Sequence, residues 1–139
     1  MIGIIIVTHR KLGDALVDAA QFVLGESPAG ISAVSIDLTE NADVLRKKIE
    51  TAISAVGTAD GVLILTDMFG GSPSNLSYSF LEEGRVEVIS GVNLPILIKA
   101  INTREKEPLE KLAATLEQYG KKSISLASGI LKGNKRGSA

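Results

Sequence analysis

Runs of β-branched and aliphatic residues at 2–8, 31–36, 61–66 and 85–90 are separated by stretches of helical length and period, the alternation expected of a βαβ series. The first helix is predicted from about Lys11, with Leu12, Ala15, Leu16, Ala19, Ala20 and Val23 on one face and Gly25 beyond its end. The second is predicted over roughly 41–57, with Thr39 and Asn41 as cap candidates and Leu45, Ile49, Ala52, Ile53 and Val56 as its apolar stripe. A third starts near Ser72, where serine suits an N-cap and Pro73 suits the first helical position, and runs to about Gly84. Pro95 opens a fourth and residues 108–119 form a fifth. Ile124 and Leu126 then alternate with Ser123 and Ser125 as in a half-buried strand over 123–130 that has no obvious parallel slot. The tail 133–139 lacks apolar content and is expected to fray.

Right-handed crossovers restrict such a series to a few doubly wound α/β arrangements, of which the order 2-1-3-4 is the favoured one. It sets the first and third strands side by side, and ligands in open α/β sheets bind beyond the carboxyl ends of strands. The first strand ends in His9, the only histidine, and the third ends before Asp67. An aspartate accepting one ring N–H leaves the other imidazole nitrogen free to attack, so His9 and Asp67 form a candidate catalytic pair. A strand-end histidine also serves as plain surface, and an aspartate there also serves as a turn residue.

After Asp67 comes Met68-Phe69-Gly70-Gly71-Ser72-Pro73-Ser74-Asn75. Gly70, Gly71 and Ser72 have the parts of a phosphate cradle: glycines that admit an anion to the backbone, a helix start and a hydroxyl. The same glycines also suit a tight turn. Arg10 and Lys11 offer positive charge to an acidic or phosphorylated partner, and Met68 and Phe69 either pack beneath the loop or form an exposed docking lip.

The 139 residues fit one domain, with a body at 1–132, and 45% apolar content furnishes an ordinary core. A formal charge of −1 removes the basic footprint of a nucleic-acid binder. No cysteine is present, which excludes disulfides and thiolate chemistry, and a single histidine disfavours a transition-metal site. The N-terminal apolar run is too short for a signal sequence or a membrane span, so the expectation is a soluble cytoplasmic protein without membrane insertion. A receiver domain would need acidic residues after the first strand, where this chain has Thr8-His9-Arg10, and neither a Walker loop nor a dinucleotide fingerprint occurs.

Three segments in order, Gly3 to His9, Thr66 to Asn75 and Ser90-Gly91-Val92-Asn93-Leu94-Pro95, resemble the enzyme IIA domain of the mannose class of the bacterial phosphoenolpyruvate-dependent sugar phosphotransferase system. The resemblance covers most of residues 1–130. It implies a phosphotransferase with a phosphohistidine intermediate. By that likeness His9 accepts a phosphoryl group from the carrier HPr and passes it to a IIB component, Asp67 orients the ring, and no cofactor or metal is needed. It also implies a homodimer in which the C-terminal strand, matched by 123–130, crosses antiparallel onto the partner's sheet. No IIB domain follows in this sequence. Two other readings use the same histidine: a regulatory phosphoprotein without sugar transport, and the phosphoryl-donor subunit of a dihydroxyacetone kinase, which the loop Phe69 to Pro73 disfavours.

Overall fold

The computed structural model describes residues 1–57 and 59–133. Four parallel strands, β1 (Gly3–His9), β2 (Ile31–Ile36), β3 (Val62–Thr66) and β4 (Val86–Ser90), form one sheet in the order β2-β1-β3-β4. The order, and the side-by-side placement of β1 and β3, are those predicted. Helices α1 (Leu12–Leu24), α4 (Leu94–Thr103) and α5 (Leu109–Lys122) close one face of the sheet around Ile4, Ile6, Leu63 and Leu65. On the other, α2 (Ala42–Val56) covers Ile5, Val7, Val34, Ile36 and Ile64, with Leu76 of α3 (Ser72–Tyr78) beside it. Covering both faces explains why β1 and β3 are unbroken apolar runs rather than alternating ones.

The caps follow the local chemistry in most places. Asn41 accepts from the Val44 N–H at 2.9 Å, and Gly25 ends α1 at a φ of 73°. Thr39 does not cap α2: its hydroxyl and amide both bond to the Asp37 carboxylate. Asn93, which periodicity alone did not single out, caps α4 through the Ile96 N–H at 2.9 Å. The third helix departs from expectation twice. Gly71 occupies its N-cap and Ser72 lies inside its first turn, and the helix stops at Tyr78 rather than near Gly84. Beyond it, Glu82 turns back to pair with Val86.

The C-terminal segment is the larger correction. No strand forms over 123–130; the chain is irregular after α5 and then enters α6 (Ala127–Gly133), with the Ile130 N–H on the Leu126 carbonyl at 3.0 Å. A strand needs a neighbouring ladder for its backbone groups, whereas a helix satisfies them within the segment. Leu126 and Ile130, four residues apart, fit that helix as well as serine alternation fits a strand. Ile124, Leu126, Ile130 and Leu131 are all exposed. The tail expected at 133–139 lies, from residue 134 onward, outside the described residues.

At the amino edge of the sheet, Arg104 locks the end of α4 to the strand entrances. Its guanidinium donates to the carbonyls of Ala29 at 2.6 Å, Gly30 at 3.3 Å and Ile2 at 3.4 Å, and the residue is only 4% exposed. Burial holds its pKa below the ordinary arginine value, against a smaller opposing effect of Glu105. Replacing Arg104 with Met keeps the stem but strips the donors from buried carbonyls, so Arg104→Met is expected to lose about 2–3 kcal/mol in chemical denaturation. An unchanged midpoint would show that these bonds add nothing to stability.

Candidate functional site

Val7 pairs with Thr66 in the β1–β3 ladder, so the two strands finish almost level and His9 meets Asp67 just beyond them. Asp67 Oδ2 accepts twice from the same residue: from the His9 backbone N–H at 2.9 Å and from ring Nδ1 at 2.8 Å. A carboxylate only accepts, so Nδ1 carries the proton and the lone pair lies on Nε2. The side chains are 36% and 10% exposed, which leaves the imidazole open to a reactant and the carboxylate shielded. Asp67 Oδ1 is buried and has no partner among the described residues.

The glycines divide their roles. Gly70 adopts a φ of 84° and makes the turn. Gly71 is needed for space: a Cβ there would stand 2.9 Å from His9 Cε1, 3.5 Å from Nε2 and 3.3 Å from Met68 Cγ. The backbone therefore approaches the imidazole itself, which spacing alone could not reveal. Ser72 opens α3 beside it, half-buried. Met68 and Phe69 are 54% and 79% exposed, so of their two predicted fates the outward lip is realised, with Phe69 tilted against Tyr78 at 6.3 Å between ring centres.

Arg10 is exposed and left-handed, with a φ of 48°, an uncommon setting for a residue with a long side chain. Its N–H reaches the Ile36 carbonyl at 3.0 Å, and Thr8 Oγ1 accepts from the Gly13 N–H at 2.8 Å, tying the start of α1 to the end of β1. Asp37, beyond β2, is held below its ordinary carboxyl pKa by the Thr39 backbone N–H and then its hydroxyl, with smaller contributions from the charges of Arg10 and Lys48. Lys11 precedes α1.

The sequence missed a cluster of hydroxyls beneath the loop. Thr66, Ser74, Ser90 and Tyr78 bond to one another under Met68, and Ser90 brings the third recognised segment to the site. The recurrence of serine and threonine at the ends of both strands and in the first turn of α3 was the available signal. Among the described residues no group of three His, Asp or Glu is placed to hold a metal ion, and no helix is long and apolar enough to cross a membrane.

Gly71→Ala is expected to push the imidazole off Asp67 while the sheet persists, at a cost of about 1–3 kcal/mol. Ring nitrogen shifts of His9 with unmoved sheet amides in NMR spectra would show it. A ring resonance identical to wild type would mean the loop yields instead.

The family model described as "PTS system fructose IIA component" matches residues 3–117. The chain is 33% identical over 133 residues to the fructose-specific EIIA component of Bacillus subtilis, covering 95% of this chain and 90% of that protein. It is 32% identical over 125 residues to the mannose-specific EIIAB component of Escherichia coli, covering 88% of this chain and 38% of that longer protein. The crystal structure of an EIIA component from Streptococcus agalactiae superposes with a TM-score of 0.81 at 23% identity, over 92% of this chain and 98% of that one, and so shows the same fold. With a family match across most of its length and a conforming fold, the chain belongs to the mannose-type EIIA family of sugar phosphotransferase system components.

Proposed function

We propose that this protein is a cytoplasmic phosphocarrier in which His9 Nε2 takes a phosphoryl group from phospho-HPr and delivers it to a IIB component. The observation that carries the reading is the 2.8 Å contact between Nδ1 and Asp67, which presents Nε2 as the nucleophile. As the N–P bond forms on Nε2, the bond to the donor imidazole breaks and positive charge grows on the His9 ring. Asp67 offsets that charge through the Nδ1 proton. The phosphoryl oxygens would be met at Gly70, Gly71 and Ser72, since a Cβ on Gly71, at the N-cap of α3, would stand only 3.5 Å from Nε2. Arg10, Met68 and Phe69 supply a cationic and apolar rim against which a carrier protein docks.

Homodimerisation is part of the proposal. It is supported by Ile124, Leu126, Ile130 and Leu131, four large apolar side chains left exposed within eight residues of the C-terminal segment.

Incubation with phosphoenolpyruvate, enzyme I and HPr is expected to add one acid-labile, base-stable phosphoryl group, located on Nε2 by phosphorus and nitrogen NMR. His9→Ala should abolish it, and Asp67→Asn should keep the fold but slow transfer by roughly 10²–10⁴-fold. Phosphate retained by His9→Ala, or found on Nδ1, would overturn the assignment. For the assembly, deletion from Ser123 onward is expected to convert a dimer to monomer in sedimentation; a truncated chain that still sediments as dimer refutes a C-terminal interface.

A further inference from the structure

Asp67 Oδ2 holds both His9 contacts while Oδ1 accepts from no described group, so no second side-chain bond fixes the tilt of the carboxylate. Beyond those two bonds, its orientation rests on the backbone on either side. That backbone is anchored at both neighbours. Thr66, fully buried, has its carbonyl taken by the Gly91 and Val92 N–H groups, each at 2.9 Å, and its hydroxyl donates to Ser90 Oγ at 2.9 Å. Met68 has its carbonyl bound by Ser74 Oγ at 2.5 Å. Ser74 is also fully buried and has a single proton, which goes to that carbonyl. In its contact with Ser90 at 3.0 Å it is therefore the acceptor, while Thr66, whose own proton goes to Ser90, lies against it at 2.5 Å. Tyr78 closes the cluster on Ser90 at 3.2 Å. The hydroxyl protons thus run from Thr66 and Tyr78 to Ser90, from Ser90 to Ser74, and out to the carbonyl of Met68, the residue that follows Asp67.

We propose that Ser74, supported by Thr66 and Ser90, is a positioning residue that keeps the Asp67 carboxylate against Nδ1 and thereby fixes the tautomer of His9. None of these hydroxyls bonds to the ring or to a side chain of the docking rim; only the Met68 backbone is reached. Their effect passes through the Met68 carbonyl and the Asp67 backbone. The rate consequence rests on phosphoryl acceptance at His9, while the tautomer consequence rests on the His9–Asp67 pair alone.

The test uses the full chain with Ser74→Ala, Ser90→Ala and, as a control on the same helical region, Ser79→Ala, whose exposed hydroxyl bonds only to the Leu76 carbonyl. Nitrogen NMR of the imidazole is expected to show the Nδ1–H form in the parent and in Ser79→Ala. Ser74→Ala should show a mixture containing Nε2–H, and Ser90→Ala a smaller shift in the same direction. Under saturating phospho-HPr, Ser74→Ala should accept phosphate roughly tenfold more slowly, with the half-saturating HPr concentration unchanged, the size and kind of loss seen when a group orienting a reactive side chain is removed. A folded Ser74→Ala protein with the parent tautomer overturns the proposal. If Ser74→Ala does not fold, Ser90→Ala decides: a parent tautomer there overturns it equally. A tautomer shift in a protein whose parent accepts no phosphate upholds the positioning role and refutes the phosphocarrier reading instead.

Discussion

One carboxylate oxygen organises this molecule's chemistry. By accepting from both the backbone and the ring of His9, Asp67 Oδ2 ties together the ends of two strands and dictates which imidazole nitrogen carries the proton. Both bonds depend on β1 and β3 being neighbours, with β1 running two residues past the pairing of Val7 with the last residue of β3, and that adjacency depends on the order of the sheet. That order depends in turn on covering both faces of an apolar sheet with helices that cross in the right-handed sense. The reactive geometry is thus a property of the whole core rather than of a loop.

The two ends of the sheet are built differently. At the amino edge a buried guanidinium secures strand entrances to α4, a purely structural use of charge in which three carbonyls replace water. Around His9 at the carboxyl edge, uncharged hydroxyls lie below the loop and the Asp67 carboxylate lies against the ring, and the imidazole stands partly in solvent. Rigidity beneath and access above suit the role proposed for His9, whose ring would have to meet groups held on other proteins.

Legibility from sequence followed the range of the interactions. Strands buried on both faces announce themselves as continuous aliphatic runs, and the crossover rule then supplied the order, so the meeting of His9 and Asp67 was readable before any coordinates. Asn41 was readable as a cap because capping is local. Gly71 was noticed as part of a turn open to an anion, but its steric role was not readable, since the Cβ it lacks would strike the imidazole of a residue 62 positions away in sequence. The hydroxyl cluster joins β3, α3 and β4, and serine carries no periodicity to betray such a link. The segment after Ser123 differs from its strand reading because Leu126 belongs to two patterns, alternating with Ile124 as in a strand and standing four residues before Ile130 as in a helix, and within a single chain the helix meets its own backbone needs.

The left-handed turn at Arg10 shapes how this position can vary. A residue just after the reactive histidine invites attention for its charge, yet the backbone filters first. Valine, isoleucine and threonine are strongly disfavoured at a φ of 48° whatever they would do at an interface, whereas glycine, asparagine and aspartate fit it more readily. In a library of all substitutions at position 10, survival would therefore sort by backbone tolerance before partner affinity is read at all, and the loss of a β-branched variant would say nothing about docking.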